Sequence, residues 1–374
     1  MRSIFKRFFI TLGALAFITV AWANRTGRLN ISDYNWGGKI TEISETTPGQ
    51  ASTIPVRLGI FAENAYDFNP STQSFAAEGL VWAHWSSAFQ ELLDAEGVTI
   101  EQVINPVNRV NSWDWLMKPF YPKPLRSEGG NYYQLMRFAG RFYVDELDFH
   151  RFPFEQVTFP IAFGLNSMSD VFSAEKVRLI ADRPQSGVGP FVDIVGYATD
   201  SVRIGEFVQT FPTSFGFKTS AGANSTDFSQ VWLQISYKKS WFASVQQLVL
   251  PLLAVMLITL VAPNLAASLW DVRIAIPSTA ILTLVFLQQS YRQTLPSLPY
   301  ITFLDQIYAA CYIVTFTLFC LFVWTSNKLD MATDGERSEV ISRLNKIDSY
   351  VQTGCIIFLF GSVLLNWVFP IHGK

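Results

Sequence analysis

Four apolar stretches in the last third of the chain decide what it can become. Residues 242–262, 274–293, 303–324 and 351–369 each run about 20 residues with few charges, the length at which a helix crosses a bilayer core. Backbone N–H and C=O groups cannot stay unpaired in lipid, so each stretch is expected as a helix. Together they read as an all-α four-helix transmembrane domain over residues 242–374. The first two links are short, whereas residues 325–350 are longer and charged, with Arg337, Arg343 and Lys346. Val340, Ile341, Leu344, Ile347 and Val351 keep helical spacing through that link, so the fourth helix is expected to begin before its apolar part.

Residues 24–241 have a different character. Alternating runs such as "VRLGIFAENAYDF", "SFAAEGLVWAHW", "YQLMRFAGRFYV", "QVTFPIAFGL" and "SQVWLQISY" are separated by Gly, Pro, Asn and Ser. That pattern predicts many short strands, hence an all-β, immunoglobulin-like sandwich, with "SSAFQELLDAEG" as a helical or irregular insert. The N-terminus "MRSIFKRFFITLGALAFITVAWAN" carries a basic start, a short apolar core and a small-x-small site. It reads as a signal peptide over residues 1–23, the alternative being an uncleaved anchor helix.

Export of the sandwich would run the first apolar helix inward. The first and third links, with Arg273, Lys328, Arg337, Arg343 and Lys346, then lie inside, as the positive-inside bias prefers. All three cysteines, Cys311, Cys320 and Cys355, sit in apolar stretches and read as packing residues; residues 24–241 contain none. With 49% hydrophobic residues and a net charge of -2, the composition suits a membrane protein and gives no sign of a nucleic-acid partner. The histidines are only His84, His150 and His372, and the sequence lacks a nucleophile elbow or a metal-ligand cluster, so neither an enzyme nor a cofactor is expected.

The second apolar stretch, "IAIPSTAILTLVFLQQSYRQ", is unusually polar for a span. At about 100° per residue, Ala275, Thr279, Leu282, Phe286, Gln289 and Gln293 fall on one stripe, and Asp271 joins it if the helix reaches back that far. Pro277 suggests a helix start near Ile274, with Asp271 in the preceding turn. Gln288 falls nearly opposite. Two arrangements account for a polar stripe in lipid. Several copies can surround a water-filled pore, or one bundle helix can hydrogen-bond its neighbours. In the first, Leu282 and Phe286 form an apolar constriction that shuts by excluding water, and Asp271 favours cations at the inner mouth.

Downstream, "LPSLPYITFLDQ" (residues 295–306) closely resembles the link between the second and third spans of prokaryotic pentameric ligand-gated ion channels, relatives of the Cys-loop receptors. "DFHRFPFEQ" (residues 148–156) is similar to that family's signature loop, and "VLPLLAVML" to its proline-bearing first span. "AYDFNPSTQSFAAEGLVWAHW" resembles its first two strands, with Tyr66, Asn69, Gly79 and Trp85 in order. The resemblance runs collinearly from about residue 53 to the end. Lys239 stands where the family usually has Arg, Val157 where it has Gln, and Pro277 departs from it as well.

The resemblance implies a homopentamer, so four identical partner subunits, in a bacterial inner membrane with the sandwich in the periplasm. A small-molecule agonist at subunit interfaces would open a pore for monovalent cations. Coupling is expected through Phe152, Pro153, Phe154 and Glu155, the turn at residues 67–71, and Pro296 and Pro299, with Glu155 attracting Lys239. The agonist site implied by alignment includes Asn111, Trp113, Phe172, Phe215, Phe217 and Tyr133. An aromatic box of that kind suits an amine, although Trp82 and Trp85 nearby also read as sandwich core. His150 in the signature loop allows proton gating or a purely structural role. The rival class is a non-conducting membrane receptor with a sensing sandwich on a four-helix anchor.

Overall fold

The computed structural model describes residues 39–42, 53–110, 113–127, 129–144, 147–165, 170–213, 226–333, 335 and 337–368. These form two compact units. One comprises residues 31–147 and 156–238; the other contains residues 148–155 and 239–374. The division predicted at residue 241 therefore misses one detail: the eight residues between two sandwich strands belong to the helical unit.

The first unit is a β-sandwich. One sheet contains β1 (Lys39–Glu42), β4 (Ile104–Pro106), β8 (Gln156–Leu165), β11 (Tyr197–Phe211) and β12 (Thr226–Lys239), in the order β1-β11-β12-β8-β4. The other runs β10 (Gly187–Phe191), β2 (Ile54–Asn69), β3 (Ser74–Trp85), β7 (Tyr132–Tyr143), β5 (Trp115–Pro119). Onto it β6 (Leu125–Arg126) pairs with β7, and β9 (Val177–Ala181) with β2. The insert, expected as helical or irregular, is a helix, Ser87–Glu96, whose Phe89 and Leu93 enter the core.

Alternation builds this core. Val231, Leu233, Ile235 and Tyr237 of β12 point inward, as do Phe159, Ile161 and Phe163 of β8. Rings interlock between the sheets: Phe75 stacks on Phe159 at 4.3 Å, and Phe138 meets Phe163 edge-on at 5.3 Å. Full burial of each such side chain contributes roughly 1.5–3 kcal/mol. Between β2 and β3 the Asn69 side-chain oxygen accepts from the N–H groups of Ser71 and Thr72, closing the turn.

The second unit holds four helices long and apolar enough to span a membrane: Trp241–Asn264, Trp270–Arg292, Phe303–Asp330 and Arg337–Val368. The third is the centre of the unit, with half its most apolar window buried against 6% for the fourth. The first helix widens to a π turn over Val245–Val249, where the Leu250 N–H bonds the Val245 carbonyl. Pro251 follows directly, and a proline's missing donor is one cause of such a local irregularity. The fourth helix starts at Arg337, well before its apolar part, as the spacing of Val340 to Val351 predicts.

The second helix corrects an expectation. It begins at Trp270, not near Ile274, so Asp271 is helical and Pro277 lies inside it. The helix continues past the proline, and beyond it Ser278 Oγ bonds the Ile274 carbonyl at 2.8 Å and Thr279 Oγ1 the Ala275 carbonyl at 3.0 Å.

Candidate functional site

The second helix has two unlike sides. Arg273, Pro277, Ala280, Leu284 and Tyr291 are buried against the rest of the helical unit. The seven residues of the sequence stripe, Asp271, Ala275, Thr279, Leu282, Phe286, Gln289 and Gln293, are all exposed in the single chain. By the helical angle they lie on the opposite side from the buried set. Leu282 is 57% exposed and Phe286 64%, comparable with Leu257 and Ile258 of the first helix at 61% and 63%. Thr279 and Thr283 hydroxyls bond carbonyls of their own helix, so the threonines on and beside the stripe need no neighbour.

Gln288 has a structural explanation that its position on the wheel alone lacked. Its amide oxygen accepts from Tyr312 Oη at 2.9 Å, and its amide nitrogen approaches Asp305 Oδ1 at 3.4 Å. Asp305 itself is a hub that sequence reasoning missed. Its Oδ1 accepts from Tyr291 Oη and from the Arg292 guanidinium, at 3.1 Å from Nε and 2.9 Å from a terminal nitrogen. Its Oδ2 accepts from the Thr302 N–H at 3.1 Å and hydroxyl at 2.9 Å. One carboxylate thus ties the end of the second helix to the start of the third. The signal was present as T-x-x-D in "YITFLD", a capping box before an apolar run.

Residues 148–155 meet every helix of the unit. Phe152 stacks on Tyr291 of the second helix at 5.8 Å, with Pro153 buried beside it after a cis peptide bond. Phe154 contacts Trp241 of the first helix at 6.5 Å and Trp367 of the fourth at 5.8 Å. The Phe303 N–H, at the start of the third helix, bonds the His150 carbonyl at 2.8 Å. His150 lies flat on Tyr300 of the link, 3.8 Å between ring centroids, and its Nδ1 is 2.6 Å from Asp148 Oδ1. The Tyr300 hydroxyl accepts from the Phe149 N–H at 3.0 Å. Pro296 is half-buried and Pro299 exposed in the same link.

No family model and no curated protein matches this chain.

Glu155 and Lys239 lie together in the helical unit, Oε1 to Nζ at 3.1 Å. The Glu155 side chain is 1% exposed and that of Lys239 25%, so this is no open surface pair. The Lys239 N–H also bonds the Glu155 carbonyl at 3.1 Å, and its ammonium sits 5.8 Å from the centre of the Phe152 ring. Backbone and side chain together hold the end of the loop to the entry of the first helix.

The predicted agonist residues do not converge among the described residues. Asn111, Phe215 and Phe217 lie outside the described residues. Trp113 is 83% exposed. Phe172 requires a correction: it is 1% exposed and packs edge-on against Phe89 at 5.9 Å, which makes it sandwich core rather than a ligand contact. Tyr133 is half-buried and its ring lies tilted against His84 at 4.7 Å across β7 and β3. Burial raises the Tyr133 pKa and lowers that of His84. Trp85 is core. Trp82 covers Gly59 on the neighbouring strand, where any Cβ would meet its ring at 2.2 Å, and donates from Nε1 to Asp182 at 3.0 Å.

Proposed function

We propose that this chain is one subunit of a homopentameric ligand-gated channel for monovalent cations, set in a bacterial inner membrane with the sandwich in the periplasm. The observation that carries the reading is the second helix. All seven residues of its stripe are exposed in one chain, while Arg273, Pro277, Ala280, Leu284 and Tyr291 are buried on the opposite side. The amides of Gln289 and Gln293 and the carboxylate of Asp271 are costly against lipid and cost nothing against water. Five copies around an axis supply that water. Leu282 and Phe286 then form the apolar gate, and Asp271 the ring of carboxylates that admits cations.

Ligand energy reaches the gate through the loop of residues 148–155. Phe152 rests on Tyr291, which shares Asp305 with Arg292 at the top of the same helix. A shift of the loop is therefore felt by the pore helix through packed rings and one carboxylate, without a long chain of intermediates. The fourth helix contributes Trp367 to the same loop, and only 6% of its most apolar window is buried.

Reconstitution in planar bilayers tests the reading. Leu282→Thr wets the constriction and raises resting current, and Asp271→Asn moves the reversal potential in a KCl gradient toward zero. Silence of both variants, with the protein correctly assembled, leaves the non-conducting receptor as the answer.

A further inference from the structure

We propose that Asp348, on the fourth helix and off the exposed stripe of the second, determines charge selectivity by cancelling Arg273 behind the acid ring that Asp271 forms. This role for Asp348 rests on the channel reading above.

Asp271 and Arg273 are two residues apart on the second helix, so they point about 200° from one another. Asp271 is exposed with the rest of the stripe, whereas Arg273 turns inward and is buried. The guanidinium therefore lies about 12 Å behind the carboxylate, roughly one helix diameter. Protein in between does not hide it. A buried charge has little salt water around it and is screened far less than a surface charge. At an effective dielectric of about 20, one charge at about 12 Å changes the occupancy of a passing ion by about ten-fold. Left alone, Arg273 would oppose Asp271: a ring of acids would be backed by a ring of cations.

Asp348 removes that opposition. Its Oδ2 accepts from a terminal nitrogen of Arg273 at 2.5 Å, with both side chains buried. Opposite charges this close act at a distance only as a dipole, so the pair adds little field at the stripe. Among the described residues, Asp348 is the acid within ion-pair distance of Arg273. The Phe322 ring, 4.5 Å away, offers a quadrupole but no charge. Arg343 and Lys346, also on the fourth helix, are exposed, and Arg343 meets Glu339 at 2.6 Å, so salt screens them without a buried partner. A buried ion pair is moreover a poor means of holding helices together, since well-packed apolar residues of similar size do as well or better. Selectivity gives this acid a purpose that stability does not.

Reversal potentials of the full chain in planar bilayers under a KCl gradient decide it. Asp348→Asn should lower the permeability ratio of K⁺ to Cl⁻ by about ten-fold or more, although it leaves the stripe untouched. Arg273→Met with Asp348→Leu removes both charges and should keep the ratio of the unaltered protein. A merely structural pair would change yield or current amplitude and leave the ratio in place. If Asp348→Asn does not assemble by itself, mixed assemblies with unaltered chains, purified through a tag on the variant chain, carry fewer lone guanidinium groups and should show an intermediate ratio. An unchanged ratio in Asp348→Asn or in the mixed assemblies, or loss of cation preference in the neutral double variant, overturns the inference. The channel reading then survives if Asp271→Asn still moves the reversal potential. Absence of current from the unaltered protein overturns both.

Discussion

Arg273 and Asp348 face each other at 2.5 Å with their side chains only 1% and 2% exposed, joining the second helix to the fourth. The Arg273 guanidinium also lies 4.5 Å above the Phe322 ring of the third helix. Arg273 Nε and Asp348 Oδ1 have no hydrogen-bond partner, so the pair is not fully satisfied. The fourth helix buries only two other residues, Leu344 and Cys355, which makes this pair its main fixed point.

Breaking that pair should be costly and replacing it cheap. Asp348→Asn or Arg273→Gln strands one buried charge or its site and should destabilise the chain by about 3–5 kcal/mol. The double change Arg273→Met with Asp348→Leu should recover most of the loss, because apolar groups of similar size need no partner. Thermal unfolding in detergent measures all three; a double variant no better than the singles contradicts the account.

Asp305 predicts an order of effects. Tyr291→Phe removes one hydrogen bond and should cost about 1 kcal/mol. Asp305→Leu removes the acceptor for Tyr291, Arg292 and Thr302 together and should cost more, at least about 2 kcal/mol, although Arg292 is half exposed and recovers some hydration. The same unfolding assay ranks them, and an inverted order removes Asp305 from the centre of the cluster.

The Glu155–Lys239 pair should show real coupling. A double-mutant cycle with Glu155→Gln and Lys239→Gln is expected to give about 1–2 kcal/mol, above the range of exposed pairs, because the carboxylate is buried. In bilayers, Glu155→Lys and Lys239→Glu should each impair opening, and the swap should restore part of it. Additive singles would reduce the pair to a bystander.

His84 gives a pH dependence whose sign is fixed. Burial first, then Arg57, lowers its pKa below the usual value of 6.5, against an opposing pull from Asp182. The neutral ring is the form that folds, so its contribution is fully present above pH 6.5 and falls as the solution is acidified below it. His84→Phe keeps the contact with Tyr133 and should flatten that part of the stability profile. An unchanged slope in thermal melts from neutral to mildly acidic pH would mean another group is responsible.

Much of this molecule was written in local pattern. The four helices follow from runs of apolar residues, because a span must bury every backbone dipole within itself. The strands follow from alternation, and the exposed stripe of the second helix from its angular spacing. The helix start was misjudged because Pro277 was read as a boundary, while the helix runs through it from Trp270. Periodicity could not distinguish Phe172 in the core from a ring at a site, since both are apolar residues beside a strand. Nor could it pair Arg273 with Asp348, 75 residues apart, or gather Tyr291, Arg292 and Thr302 onto Asp305. Those contacts join residues distant in the chain. Their energy depends on burial and on which charge meets which, and only the packed helices set both.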